Sequence, residues 1–112
     1  MSSRFIHLHL HTEFSLADST IRVPEKPDEA RPEKAKRPNL LSRAVEMKLP
    51  ALAVTDRNNL FALIKFYKSA ESVGIKPIAG ADLSIVDGKE SPWQLTLLCR
   101  DRDGYLSLSQ VL

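Results

Sequence analysis

The sequence predicts an α/β fold, in which strands and helices alternate along the chain and crossover connections make the strands parallel. Apolar and polar side chains alternate over residues 4–11, which is the period of a strand. A continuous apolar run over residues 49–54 indicates a strand buried on both faces, and a helical pattern follows it. The chain has 112 residues, whereas a complete α/β barrel needs roughly 250. We therefore expect part of a barrel or a small open sheet.

A long connection separates the first predicted strand from the rest of the chain. Residues 22–38 contain four of the seven prolines and ten charged residues. Prolines interrupt both helices and sheet ladders, and a connection of this length is unusual in a compact domain. We expect an exposed, charged insertion loop with no function of its own.

The remaining elements follow in the order helix, strand, helix, strand, strand, helix. Their predicted ranges are residues 40–48, 49–56, 58–74, 75–86, 93–100 and 101–112, with a turn at 87–89. Asn39 is expected to cap the first helix and Gly74 to end the second. The predicted apolar positions are Leu40, Leu41, Ala44, Val45 and Met47 in the first helix and Leu60, Leu63, Ile64, Tyr67 and Ala70 in the second. Because the chain ends inside an apolar helix, we expect a fragment of a longer protein.

Composition excludes several classes of protein. A net charge of +2 with mixed signs is too small to indicate nucleic-acid binding by itself. The N-terminus lacks the apolar core of a signal peptide and no stretch reaches transmembrane length, so we expect a cytoplasmic protein without a membrane partner. The one cysteine, Cys99, excludes an internal disulfide and lies in an apolar run, which favours a buried thiol over a nucleophile.

All three histidines of the chain, His7, His9 and His11, lie in the first predicted strand. Alternate strand residues project from the same face about 6.5–7 Å apart, so two imidazoles can converge on one ion with metal–nitrogen bonds near 2.1 Å. Polar side chains on an exposed strand would be the simpler interpretation. The apolar residues between the histidines favour a metal or phosphate site instead.

Three aspartates could complete such a site. Asp18 follows the first strand, Asp56 ends the buried strand, and Asp82 lies within an apolar strand. The carboxyl ends of strands carry the chemistry in parallel α/β folds, and carboxylates with histidines can hold divalent ions. Asp18 and Asp56 could equally be turn or helix caps. Asp82 would be buried and would need a partner.

Four segments, "FIHLHLHTEFSLADS", "PALAVTDRNNLFALIKFY", "GIKPIAGAD" and "DGYLSLSQVL", resemble the PHP (polymerase and histidinol phosphatase) domain at the N-terminus of bacterial DNA polymerase III alpha subunits. The resemblance covers nearly the whole chain except the Pro-rich segment. It implies the N-terminal part of a distorted, TIM-like β/α barrel with a metal cluster at one end. Residues 1–112 would then be a partial PHP domain, lacking the rest of that domain and the polymerase core.

The resemblance also implies ligands. His9 and His11 match the His-x-His pair of the family, Asp18 its first acidic position, and Asp82 a position that is usually glutamate. These four residues are the expected metal ligands, for zinc or manganese.

Three further residues match positions beside the ligands or depart from the family pattern. His7 and Asp56 would lie next to the ligands. In "TDRNN", Arg57 occupies a position where the family has a histidine ligand. A guanidinium has no lone pair to donate and keeps its charge. We therefore expect a degenerate metal centre, in which Arg57 forms a salt bridge with Asp18, Asp56 or Asp82 where a metal would otherwise lie.

The implied function is that of a structural portion of a replicative polymerase, which supports the polymerase core and docks a proofreading exonuclease subunit. The full-length parent would be a DNA-directed DNA polymerase that uses magnesium and contacts DNA and other holoenzyme subunits. No catalytic residue of the polymerase is expected in this chain, which alone should be inactive. Two alternatives stay open: a metal-dependent phosphoesterase (pyrophosphatase or 3′–5′ exonuclease), and a free-standing small metal-binding protein.

Overall fold

The structure is a computed structural model that describes residues 5–24, 26–86, 88 and 93–112, apart from the side chains of residues 16–18. Two short 3₁₀ helices precede the regular elements, at Glu13–Asp18 and Pro27–Ala30. The helices are α1 (Leu40–Glu46), α2 (Leu63–Ser72) and α3 (Arg102–Val111). The strands are β1 (Ala51–Arg57), β2 (Lys76–Ile85) and β3 (Trp93–Leu98). The predicted α/β class and the order of these six elements are confirmed.

The three strands form one sheet in the order β1-β2-β3. β1 and β2 are parallel and are joined through α2, as predicted, and the first six residues of β1 are buried. β3 is antiparallel to β2, so the prediction of parallel crossovers fails for this pair. The reason is the short connection between them, since a parallel crossover needs a dozen or more residues.

The predicted strand over residues 4–11 is wrong for the described part, residues 5–11, which form no regular strand. This N-terminal segment still runs beside β1: the carbonyls of His7 and Leu10 accept hydrogen bonds from the backbone of Ala53 (3.0 Å) and Thr55 (2.8 Å). A step of two residues along β1 therefore corresponds to a step of three residues along the segment. The extra residue interrupts the ladder, as a bulge does.

The main core lies between the sheet, α1 and α2, and it includes part of the Pro-rich segment. Val23 and Ala30 are buried there together with Leu41, Leu52 and Phe66. The expectation that residues 22–38 form an exposed loop is therefore wrong at these positions, because small and branched apolar side chains between the prolines are pulled into the core.

Helix α1 begins as predicted. The side chain of Asn39 accepts a hydrogen bond from Ser42 N (2.9 Å), and Ser42 Oγ accepts one from Asn39 N (2.9 Å), which is a reciprocal capping box. Its apolar stripe is confirmed except for Met47, which follows the helix and is 54% exposed.

Helix α2 buries Ala70 as predicted, but the rest of its buried face differs from the predicted one. Phe66, Ser69 and Ala70 are buried, whereas Ile64 and Tyr67 are 69% and 48% exposed. Because Phe66 packs in the core, it determines which side of the helix faces inward. The helical pattern of the sequence does not show whether Phe66 or Tyr67 is the buried aromatic residue. Gly74 ends the helix in the left-handed region (φ 76°), as predicted.

Strand β3 is the most exposed regular element, and all six of its residues are exposed. Its large side chains include Trp93, Leu95 and Leu97. An uncharged edge strand of this kind favours pairing with another chain, and it predicts self-association. Among the described helices, none has both the length and the apolar composition of a bilayer span.

Candidate metal centre

A cluster of three side chains lies at the carboxyl end of the parallel strand pair. It consists of His9, His11 and Asp82, and one ligand atom from each lies within 4.8 Å of the others. Both imidazole Nε2 atoms are 2.5 Å from Asp82 Oδ2. The N-terminal segment supplies the histidines and β2 supplies the carboxylate, so β1 must hold the segment in place for the cluster to form.

Asp82 is 1% exposed, and its partners keep it charged. Its Oδ1 accepts a hydrogen bond from the Thr96 hydroxyl of β3. Burial alone would raise the pKa of Asp82, but the hydrogen bonds from Thr96, His9 and His11 outweigh it and hold that pKa below its usual range. An ionised carboxylate only accepts hydrogen bonds, so both Nε2 atoms carry a proton in this arrangement.

The three histidines have different surroundings. The His9 side chain is 59% exposed, and that of His11 is 18% exposed. Their rings meet edge to face, with centroids 5.4 Å apart. His7 instead packs against Phe5, with ring centroids 4.6 Å apart, and it lies outside the cluster. The expectation that His7 lies next to the metal ligands stays a prediction.

Asp56 does not join the cluster but holds the segment that carries it. This carboxylate is 1% exposed and accepts three hydrogen bonds: from Thr12 N (2.6 Å), Thr12 Oγ1 (2.7 Å) and Ser15 Oγ (2.8 Å). Thr12 directly follows His11. Asp56 therefore fixes the backbone from which His11 projects, while the Thr55 hydroxyl accepts a hydrogen bond from Leu10 N (2.9 Å).

Arg57 is the last residue of β1 and pairs in register with Asp82. Side chains that lie side by side in a sheet project from the same face, so Arg57, Asp82 and Thr96 form one row across the three strands. The Arg57 side chain is exposed, and its backbone N–H donates to Ser15 Oγ (3.0 Å). Its predicted salt bridge with Asp18, Asp56 or Asp82 stays a prediction.

Asp18, the remaining expected ligand, ends the first 3₁₀ helix. Its side chain lies outside the described part of the chain, so its role as a ligand stays a prediction. Thr96, Thr12 and Ser15 were not predicted from the sequence. Thr96 is one of two polar residues, with Gln94, in the otherwise apolar run "WQLTLL", and a hairpin register between β2 and β3 would have placed it opposite Asp82.

The donor set suits a borderline divalent ion. Two imidazole nitrogens and one carboxylate oxygen are ligands that zinc and manganese accept. Binding would displace the two Nε2 protons, because a metal takes the lone pair that the proton holds. The residues therefore fit one ion, with three protein ligands among the described side chains.

Comparison with known proteins gives the family of the chain. The PHP domain profile matches residues 7–112. The DNA polymerase III subunit alpha of Xylella fastidiosa (strain 9a5c) is 73% identical over 99% of this chain, which covers 9% of that protein. The corresponding subunits of Pseudomonas aeruginosa and of Neisseria meningitidis serogroup B are 41% and 40% identical, over 100% and 96% of this chain. The match covers 8% of the length of each of these subunits.

A solved structure supports the fold. An amidohydrolase from Chromobacterium violaceum, whose structure contains bound sulfate and no metal, matches with a TM-score of 0.57 over 95% of this chain and 32% of its own. At 19% identity this similarity concerns the fold alone. The chain spans about a tenth of the length of the polymerase subunits that it matches, and it belongs to the PHP domain family.

Proposed function

We propose that this chain is the N-terminal PHP portion of a bacterial replicative DNA polymerase III alpha subunit and that it acts mainly as a scaffold for the polymerase. The observation that carries the proposal is the 73% identity to the Xylella fastidiosa subunit over 99% of the chain. The full-length parent would be a DNA-directed DNA polymerase, with magnesium and DNA bound by its remaining part. The 112-residue chain alone would not polymerise DNA.

The composition of the cluster favours a scaffold over a phosphoesterase. Hydrolysis of a phosphoester by a metal cluster commonly uses two ions about 3.5–4 Å apart, and each ion needs several ligands. The described side chains offer one group of three. Arg57 projects from the same face as Asp82, and its permanent positive charge opposes a second cation there.

A single ion is compatible with these residues. His9, His11 and Asp82 would hold it, with Asp18 as the proposed fourth ligand, and zinc or manganese would be the metal. When bound, the ion would polarise a phosphate oxygen or an attached water molecule. Residues outside the ligand set position the ligands: Thr96 orients Asp82, and Asp56 fixes the segment that carries the histidines.

A chimera tests the proposed function directly. The matching segment of the Xylella fastidiosa subunit is replaced by this chain, and primer extension is measured beside the parent subunit and a variant that lacks the segment. We expect the chimera to retain the parent rate within about twofold and the deletion to lose it. A chimera that folds with the parent's thermal stability but does not extend primers would contradict the proposal.

The second candidate is a metal-dependent phosphoesterase, a pyrophosphatase or 3′–5′ exonuclease, and the His9, His11 and Asp82 cluster is the observation that favours it. Release of phosphate from pyrophosphate, or trimming of a mismatched primer, is measured with manganese for the chimera and its His9→Ala/His11→Ala variant. Hydrolysis that is lost in the variant would replace the scaffold proposal by this one.

The proposed location is the cytoplasm, and the proposed partners are other holoenzyme subunits, notably the proofreading exonuclease. Co-purification of that subunit with the chimera but not with the deletion variant would support docking on this domain. Equal recovery with both would place the docking site elsewhere.

A further inference from the structure

A cleft beside the start of α1 is not used by the cluster or by the proposed scaffold role. Its lining includes Ile21, Arg22, Arg37, Pro38, Leu40 and Arg43, and its volume is about 580 Å³. We call it the arginine cleft. It lies where residues 20–22, which follow the first 3₁₀ helix, meet the end of the Pro-rich segment.

Hydrogen bonds fix the walls of the arginine cleft. Leu40 N donates to the carbonyl of Arg22 (2.8 Å), which joins one wall to the first turn of α1. Asn39 Nδ2 donates to the carbonyl of Glu29 (2.8 Å), so the Pro-rich segment is tied to the same helix. A site that is already ordered loses less entropy when a partner binds.

The charged side chains described around the cleft have one sign. Arg22, Arg37 and Arg43 are all exposed, and among the described residues no acidic side chain lines the cleft. Arg43 forms a surface ion pair with Glu46 (3.1 Å). Within the described part of the chain, neither Arg22 nor Arg37 forms an ion pair. Two guanidinium groups are therefore available to carboxylates of a partner.

The neighbouring cleft provides a contrast. It shares Arg22 and Arg37 but also contains Glu13 and Glu29, and its volume is about 360 Å³. Its acidic groups offset its basic groups. The described lining of the arginine cleft contains no acidic residue of its own, so of the two clefts it is the better receptor for negative charge.

The surface between the arginines is aliphatic. Ile21 is 42% exposed, and Pro38 is also exposed. Ligand sites of this size combine an apolar surface with a few polar anchors. An apolar side chain could therefore be buried on Ile21 and Pro38 while neighbouring carboxylates reach the arginines.

These features favour an acidic peptide over a nucleic acid. Single strands are bound by aromatic rings on which bases stack, and the described lining of the cleft includes no aromatic residue. Long phosphate backbones need an extended basic track, whereas the Pro-rich segment interleaves acidic residues such as Asp28 and Glu29 with its basic ones. The basic surface of the cleft is therefore not continued along the Pro-rich segment.

We propose that the arginine cleft docks a short peptide segment of a partner protein, in which acidic residues flank an aliphatic or aromatic side chain. This inference goes beyond the scaffold role and does not depend on the metal cluster. It also gives the Pro-rich segment a function, which the sequence did not predict.

The test is a selection of random 12-residue peptides displayed on phage, on the purified chain, with counter-selection on an Arg22→Glu/Arg37→Glu variant. We expect the enriched peptides to carry Asp or Glu beside Leu, Ile, Val or Phe. No enrichment over the counter-selected variant, or enrichment of peptides without acidic residues, would overturn the proposal.

Fluorescence polarisation with the most enriched peptide then measures the contribution of the arginines. Arg22→Ala/Arg37→Ala should raise Kd about tenfold, since each exposed charge contact contributes a few-fold in affinity. The matched control, Arg31→Ala/Lys34→Ala, removes two exposed basic residues of the same segment and should leave Kd within twofold.

Two further results complete the test. An Arg22→Lys/Arg37→Lys variant keeps the charge and should bind more tightly than the alanine variant, provided that circular dichroism shows both to be folded. Equal loss in the arginine and control variants would contradict a local site. A 12-nucleotide oligo-dT that binds more tightly than the peptide, with the same arginine dependence, would replace the peptide by nucleic acid and overturn the proposal.

Discussion

Removing the buried carboxylate of Asp56 should destabilise the chain more than any other single change near the cluster. Asp56→Ala leaves three donors without their acceptor: Thr12 N, Thr12 Oγ1 and Ser15 Oγ. Thr12 is 0% exposed and Ser15 is 7% exposed, so water does not easily replace the carboxylate. The N-terminal segment would lose its main attachment to the end of β1.

The expected loss follows from these three hydrogen bonds. A buried donor without a partner costs about 1–3 kcal/mol, and some relaxation toward water will reduce the sum. We therefore expect Asp56→Ala to lower the free energy of unfolding by about 3–5 kcal/mol. Asp56→Asn keeps one acceptor oxygen and should cost about 1–3 kcal/mol. Typical domains have only about 5–15 kcal/mol in total.

Urea unfolding, followed by circular dichroism at 222 nm, measures these differences. Asp101→Ala is the control, because it removes an aspartate that caps α3 by accepting from Gly104 N (2.8 Å) at the surface, and it should cost only about 0.5–2 kcal/mol. The predicted order of stability is wild type, Asn variant, Ala variant. An Asp56→Ala chain as stable as the wild type, or an Asn variant less stable than the Ala variant, would refute the reasoning.

Three other predictions concern the sheet and the cluster. Gly80→Ala should destabilise the chain by about 2–3 kcal/mol, because an added Cβ would lie 2.5 Å from a carbonyl oxygen of β3. The control is Gly104→Ala, whose added Cβ meets only ordinary contacts and which should be neutral or stabilising in the same urea assay. The pKa of Asp82 is lowered in the folded state. Ionised Asp82 therefore stabilises the fold at pH values above its unfolded pKa of about 3.9, and this contribution disappears as the pH falls through the folded pKa. With EDTA present, the loss of stability caused by Thr96→Val should therefore be largest near pH 7 and should shrink as the pH falls below about 3.9; a loss that stays constant from pH 7 into acid would contradict it. Finally, calorimetric titration with zinc should give at most one site per chain, weakened about tenfold or more by His9→Ala, and binding that His9→Ala leaves unchanged would exclude the cluster as the site.

The sequence predicted most of the fold because its elements carry local signals. Asn39 and Gly74 marked helix ends through their own side chain or backbone freedom, and the continuous apolar run of β1 indicated a buried strand. The errors arose where tertiary contacts decide. Val23 and Ala30 lie in the core although their segment is Pro-rich, and in α2 Phe66 is buried where Ile64 and Tyr67 had been expected.

The candidate site was predicted only in part, for a similar reason. His9, His11 and Asp82 stand out because histidines alternate in one segment and a carboxylate interrupts an apolar strand. Their common position depends on a bulge beside β1, which the sequence does not encode in any recognisable turn. Thr96 could be found only from the register between β2 and β3, since a threonine in a strand is otherwise unremarkable.

The scaffold proposal is tested most directly by primer extension with the full-length polymerase subunit that we propose carries this domain. His9→Ala/His11→Ala removes the cluster, and Asp56→Ala removes the support of the N-terminal segment. We expect the first variant to keep the wild-type rate within about twofold and the second to lose rate together with thermal stability. A loss of primer extension in the histidine variant at unchanged thermal stability would contradict it.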